Sequence, residues 1–270
     1  MSELAAYLDR VGFEGEARPD LGTLRALHRR HLLAVPYENL DVQLGRPLTP
    51  DPKAAFDKVV HRRRGGWCYE MNGTLGHALS LIGFSVTRMA GGVVRSMAGD
   101  DVVGNHLVLK VDLPEGPMIA DVGFGDGPLD PYPLEPAAFS SGVFDFRLER
   151  LDDGWWRLHN HPKGGAPNYD FRPEPAEEAL LAQRCQTLQT AETSIFVQNL
   201  LCFRHREDGF SALRGRVLRR ATPEASEDTL LNSPRELTEA LGDVFGLDVP
   251  EAAGLWDKVA ARHDEIFAAG

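Results

Sequence analysis

The stretch Arg62-Arg63-Arg64-Gly65-Gly66-Trp67-Cys68-Tyr69-Glu70-Met71-Asn72 decides the reading of this chain. Arginines lead into a glycine pair, and a cysteine then opens an apolar-periodic run. Met71, Leu75, Ala78, Leu79 and Ile82 follow at helical spacing, and Gly83 ends them. Gly65 and Gly66 supply the permissive backbone that a tight loop into a helix needs. Cys68 therefore stands at or near a helix N-terminus, where open backbone N–H groups and the macrodipole favour a thiolate. Cys185 and Cys202 have no such setting, and both read as small, buried and inert.

A nucleophilic cysteine needs a base, and the base needs a group to orient it. Asn105-His106-Leu107-Val108-Leu109 puts a histidine at the start of a β-like run. Ile119-Ala120-Asp121-Val122-Gly123-Phe124-Gly125 puts an aspartate at the end of the next. Leu113-Pro114-Glu115-Gly116-Pro117 between them is a strong turn signal. Two adjacent antiparallel strands would set His106 beside Asp121. A triad in the order Cys68, His106, Asp121 follows: the thiol attacks, the imidazole takes its proton, and the carboxylate fixes the tautomer. His77 is the main competitor among the nine histidines. It lies roughly 13 Å along the same helix as Cys68, too far for a hydrogen bond.

These stretches resemble the signatures of the arylamine N-acetyltransferases. Arg-Gly-Gly-Trp-Cys-Tyr-Glu-Met-Asn-Gly, Asn-His-Leu-Val-Leu and Asp-Val-Gly-Phe-Gly are similar to three of them, and Val35-Pro36-Tyr37-Glu38-Asn39-Leu40-Asp41 to a fourth. All lie in the first half, in the right order. From about Pro131 the resemblance is loose. It implies acetyl-CoA as co-substrate, an arylamine or arylhydrazine acceptor, and ping-pong transfer through an acetyl-cysteine. It also implies that Gly123, Phe124 and Gly125 line the acyl pocket, with Phe124 on the substrate side and the glycines admitting the cofactor arm. Trp67 and Tyr69 are available to stack on an aromatic ring. Arg64 and Glu38 are implied as a buried ion pair supporting the Cys68 loop. Glu70, in the first helical turn, suits the macrodipole and reads as structural. Asp126 departs from the pattern, standing where many members carry another glycine.

Three rivals share parts of this signature. Amide synthases that close aromatic macrolactams in antibiotic biosynthesis carry the same three stretches. Transglutaminase-like and papain-like hydrolases share the Cys–His–Asp/Asn order, but Arg-Gly-Gly-x-Cys and Asp-Val-Gly-Phe-Gly speak against them. A non-enzymatic binding module is opposed by the intact triad.

Bulk properties set the bounds. The chain has 270 residues, 43% hydrophobic and 26% charged, enough for a sizeable core. A net charge of −11 disfavours nonspecific binding to nucleic acid or anionic lipid. It leaves room for an anionic cofactor at a local basic patch such as His61-Arg62-Arg63-Arg64. Three cysteines make no disulfide framework and fit no zinc motif, so no metal is expected. The opening residues carry acids where a secretory signal carries bases, and no apolar run reaches membrane-spanning length. A reducing cytoplasm is the expected setting.

Along the chain, residues 1–85 read as a helical domain carrying the nucleophile. Helices start at Leu4, after an Asp20 cap, and after a Thr49 or Asp51 cap with Pro52 in the first turn. Residues 86–190 read as an antiparallel β-barrel domain carrying His106 and Asp121. Its strands are expected at 85–95, 102–112, 118–124, 144–151 and 155–158, with 128–136 as loop and a helix at 176–184. Residues 191–270 read as a linker helix at 193–202 and a small α/β lid. In the lid, a hairpin is expected at 210–219, a Ser233 capping box, and a last helix at 251–267. The fold class is α+β with a cysteine-protease-like Cys-His-Asp core, its active site between the first two parts. Gly73 and Gly76 inside the Cys68 helix point to close packing there.

Overall fold

The computed structural model describes residues 2–268. The first part is helical, as Glu3–Val11, Leu21–Ala34 and Pro52–Phe56 lead to the helix Cys68–Ile82. Ser2, Asp20 and Asp51 cap the first three through their side chains. A two-residue strand, β1 (Tyr37–Glu38), interrupts them.

Eight strands follow: β2 (Ser85–Val93), β3 (His106–Leu113), β4 (Gly116–Ala120), β5 (Tyr132–Pro133), β6 (Ala137–Ser141), β7 (Phe144–Arg150), β8 (Trp156–His159) and β9 (Asn168–Phe171). They form one antiparallel sheet in the order β5-β4-β3-β2-β9-β8-β7-β6. Among the described residues β5 and β6 do not pair, so the expected barrel is an open, curled sheet. Alternation on β3 fixes its two faces. Leu107, Leu109 and Val111 pack on the helices, with the Cys68 helix against them. Val108 joins Met89, Ile119, Tyr169 and Phe171 inside the curl.

The last part is a second antiparallel sheet. Its strands are β10 (Leu201–Arg206), β11 (Gly209–Arg214), β12 (Val217–Ala221) and β13 (Ser226–Leu230), in the order β1-β10-β11-β12-β13. Ser233 caps the helix Pro234–Asp243 as expected. Both packed faces are apolar, Leu40 and Leu213 meeting Leu237, Leu241 and Phe245.

Several elements differ from the sequence reading. The helix expected at 193–202 is one turn, Ile195–Gln198, and Leu201 and Cys202 belong to β10. Asn39 explains the switch: its side chain accepts from Leu201 N–H and donates to Asn199 C=O, docking this segment beside β1. The strand expected at 118–124 ends at Ala120. Beyond it, Val122 N–H bonds Asn72 Oδ1 and Gly123 N–H bonds Asp121 Oδ1, so the backbone leaves the ladder for side-chain partners. The strand expected from 102 begins at His106, preceded by a 3₁₀ turn, Gly99–Val102. The last helix begins with a 3₁₀ stretch, Pro250–Leu255, before Trp256–Ala268.

Candidate active site

Cys68 is the first residue of its helix, with Trp67 at the N-cap position. Glu70 Oε2 accepts the Trp67 N–H at 3.2 Å, which satisfies one donor of the helix start. The glycine pair threads this loop past β1. A Cβ on Gly65 would lie 2.1 Å from the Pro36 carbonyl oxygen. Glu38 N–H bonds Gly66 C=O at 2.9 Å.

His106 opens β3 and Asp121 follows β4, whose register pairs Leu109 with Ala120. Cys68, His106 and Asp121 are each 2% exposed. His106 Nε2 meets Asp121 Oδ2 at 2.8 Å and the ring hydrogen-bonds Cys68, which leaves Nδ1 for the thiol. Asp121 Oδ1 accepts from Asn72 Nδ2 at 2.7 Å and from Gly123 N–H at 2.8 Å. The rings of Phe124 and Tyr169 lie against the imidazole, with centroids 5.7 and 4.8 Å away.

The protonation states follow from this geometry. Burial alone would lower His106, but the Asp121 carboxylate and Cys68 outweigh it and push it up to about 10. Burial would raise Asp121, yet His106, Asn72 and the Gly123 N–H hold it below the usual carboxylate range. The imidazole is thus a cation through neutral pH, between a buried carboxylate and a thiol.

Gly123 presses on Cys68. A Cβ there would lie 2.6 Å from Asn72 Nδ2 and 2.7 Å from Cys68 Cα, where neither backbone nor anchored amide can move aside. A cavity of about 600 Å³ opens in front of Cys68 and His106. Gly123 and Phe124 line it, with Tyr37, Phe196 and Phe203 adding aromatic surface. Lys163, Arg214, Arg219 and Arg262 bring cationic groups to its walls.

Not every expected residue reaches this cavity. Trp67 is fully buried, with Tyr69 and Phe196 edge-on to it at 5.4 and 5.3 Å. It is a core side chain, because successive residues at the helix start diverge and Cys68 takes the open direction. Tyr69 is also fully buried, donating to Gly104 C=O. Gly125 turns the loop at φ +87° against the Phe203 ring and is not a lining residue.

Arg64 Nη2 and Glu38 Oε1 are paired at 2.8 Å within a larger cluster. Lys58, 2% exposed, meets Asp41 at 2.8 Å, Glu70 at 3.0 Å and Glu38 at 3.7 Å. Two inner cations, Lys58 and Arg64, face the three carboxylates, and Arg46 reaches Asp41 from the solvent side at 3.4 Å. Burial, then the neighbouring Glu38 and Asp41, overcome Lys58 and push Glu70 up to about 7. The folded chain therefore binds a proton at Glu70 that the unfolded chain releases near 4.5. This contribution to stability is full below pH 4.5 and is lost as pH rises toward about 7. Glu70→Gln is expected to flatten that decline, which is worth up to about 3 kcal/mol. Urea midpoints measured across the window check this, and an unchanged slope would refute it.

Asn72, Asp41 and Lys58 were outside the sequence-derived set. Asn72 stands one helical turn after Cys68, on the same face, and a polar residue among Met71 and Leu75 was a usable signal. Lys58 sits among Phe56, Val59 and Val60, in a π-helical turn, Asp57–His61, that turns it inward.

Known proteins share this architecture. The N-acetyltransferase family model matches residues 20–253. The arylamine N-acetyltransferase of Mycolicibacterium smegmatis is 36% identical over 272 residues, covering 98% of each chain. That of Escherichia coli is 31% identical over 91% of this chain and 89% of its own. The solved Mycobacterium marinum arylamine N-acetyltransferase, in complex with CoA, aligns with a TM-score of 0.86 at 33% identity, covering 97% of this chain and 98% of its own. With full-length relatives agreeing in sequence and fold, this chain belongs to the arylamine N-acetyltransferase family of acyltransferase enzymes.

Proposed function

We propose that the chain transfers the acetyl group of acetyl-CoA to an arylamine or arylhydrazine through a covalent intermediate on Cys68. The observation that carries this reading is the buried line Cys68–His106–Asp121 opening onto one cavity. The imidazolium and the helix N-terminus both favour negative charge on the sulfur. The sulfur attacks the thioester carbonyl, and the coenzyme A thiolate leaves with a proton from His106. The amine then attacks the acetyl-cysteine, His106 takes a proton from its nitrogen, and the Cys68 thiolate departs. Exchange between thioesters is nearly balanced in free energy, which suits cysteine.

Lys163 and Arg214 on the cavity wall fit an anionic acyl donor, against a chain of net charge −11. CoA is bound in the M. marinum relative. Phe124, Phe196 and Phe203 suit an aromatic acceptor. Aromatic amines are weak bases and stay unprotonated at neutral pH, so they arrive as nucleophiles. Among the described residues no helix is long and apolar enough to cross a membrane.

The test is intact-protein mass after brief mixing with acetyl-CoA and no amine. One acetyl adduct, discharged by an added arylhydrazine, is expected. No adduct, with Cys68 still alkylated by iodoacetamide, would reject the reading.

A further inference from the structure

The segment 160–166 follows β8 and forms one wall of the cavity through Lys163, Gly164, Gly165 and Ala166. It closes on itself: Asn160 Nδ2 donates to Ala166 C=O at 3.0 Å and Asn160 Oδ1 accepts the His161 N–H at 2.9 Å. With two adjacent glycines it has little stiffness of its own, and holding it costs conformational entropy.

Three hydrogen bonds converge from it onto a single residue. Gly165 N–H donates to Asp126 Oδ2 at 2.6 Å, Asn160 Nδ2 to Asp126 Oδ1 at 3.0 Å, and His161 Nε2 to the Asp126 carbonyl at 3.0 Å. Asp126 is 3% exposed. Its place in the chain is telling, directly after Gly123-Phe124-Gly125, whose first glycine presses on Cys68. The loop bearing the catalytic aspartate thus also carries the anchor of the opposite cavity wall. From the other side, His161 stacks on Phe144 at 4.0 Å and meets Phe210 at 5.7 Å.

The ionised form of this anchor is costly. Burial pushes the Asp126 carboxyl up to about 6, and it is the Gly165 N–H and the Asn160 amide, rather than a cation, that pull it back. A buried carboxylate held only by loop donors persists where those bonds matter.

We propose that Asp126 is a positioning residue for the acyl donor: it ties the 160–166 segment to the catalytic loop and so keeps Lys163 on the cavity wall, facing the donor's anionic portion. The donor's identity rests on the acetyl-CoA reading, whereas the tie does not. Releasing the tie lets Lys163 wander, and the loss falls on binding of a charged donor more than on a neutral one.

The experiment compares the wild-type enzyme with Asp126→Ala and Asp126→Asn. Hydrogen exchange in a peptide covering 160–167 is expected to quicken about tenfold or more in Asp126→Ala, with little change in a peptide from the Cys68 helix. KM for acetyl-CoA is expected to rise about fivefold more than KM for the neutral donor p-nitrophenyl acetate. Asp126→Asn keeps one acceptor and should fall between. Should Asp126→Ala fail to fold, Gly165→Pro removes the N–H donor and sets the ring carbon against Asp126 Oδ2, with Gly165→Ala, whose Cβ meets nothing closer than 3.5 Å, as the control that keeps the N–H. Unchanged exchange would overturn the tie. Faster exchange with an unchanged KM ratio would overturn the donor role. A wild-type enzyme that ignores acetyl-CoA while the variant's exchange quickens would fault the acetyl-CoA reading and leave the tie standing.

Discussion

Cys68→Ser is expected to lower kcat/KM for arylamine acetylation by about 10³-fold or more. The fold should survive, because the change replaces one atom, and a hydroxyl can keep the contact with His106 and the long one, 3.8 Å, to Asn105 C=O. The loss is therefore chemical. A serine hydroxyl in that place keeps His106 and the helix N-terminus but is a far weaker nucleophile. It also turns a balanced thioester exchange into formation of an oxygen ester. No other thiol can stand in. Burial pushes Cys185 up to about 12, and Cys202 is likewise raised well above its ordinary value by burial. Both lie in the core, at 1% and 0% exposure. Turnover from acetyl-CoA and the mass of the protein after mixing are the readouts. A serine variant retaining a tenth of wild-type turnover would remove Cys68 from the chemistry proposed for it.

The reach of the sequence differed from element to element, for physical reasons. The Cys68 helix and its ends were legible because both signals are local: a glycine-rich entry and Gly83 as the left-handed stop, φ +105°. His106 and Asp121 were legible because a tight turn between adjacent strands leaves one register. The pairing of Arg64 with Glu38 needed the family resemblance, and Lys58, which joins them with Asp41 and Glu70, went unseen. Its role depends on a helical turn of irregular pitch. Leu201 and Cys202, at the start of β10, read as the end of a helix. A local signal for the strand existed in Asp208-Gly209, since β10 pairs with β11 across a tight turn that sets Arg206 opposite Gly209. Its other partner, β1, is two residues long and lies more than a hundred residues earlier. Nothing local marks such a pairing, and tertiary contacts override local preference there. Trp67 was misplaced for a related reason. Neighbours of a nucleophile in sequence point elsewhere at a helix start, so aromatic residues near the motif are not thereby near the substrate. The aromatic wall instead comes from Tyr37, Phe196 and Phe203, on three separate segments.

Asp121→Asn should be at least as damaging as loss of the thiol, about 10⁴-fold in turnover, though it changes one atom. The hydrogen-bond accounting around the residue shows why. Asn72 cannot reverse its amide, since Oδ1 accepts the Val122 N–H at 2.9 Å while Nδ2 donates to Leu107 C=O at 2.6 Å. Its Nδ2 therefore remains a donor toward the Oδ1 position of residue 121, as does the Gly123 N–H. An asparagine there must place its oxygen against these two donors. Its NH₂ group then faces His106 Nε2, where the carboxylate stood at 2.8 Å. The imidazole can only answer with Nε2 as acceptor, which puts its proton on Nδ1, toward the sulfur. In that tautomer it has no lone pair with which to take the thiol's proton. The charge balance shifts in the same direction. Burial alone lowers His106, and the carboxylate is the largest influence lifting it to about 10. Without that carboxylate the cation that favours negative sulfur is lost at neutral pH. The variant should bind substrates with little change, alkylate slowly with iodoacetamide, and show a rate that no longer holds level through neutral pH. Alkylation at the wild-type rate, with turnover intact, would show that Asp121 neither orients nor charges His106.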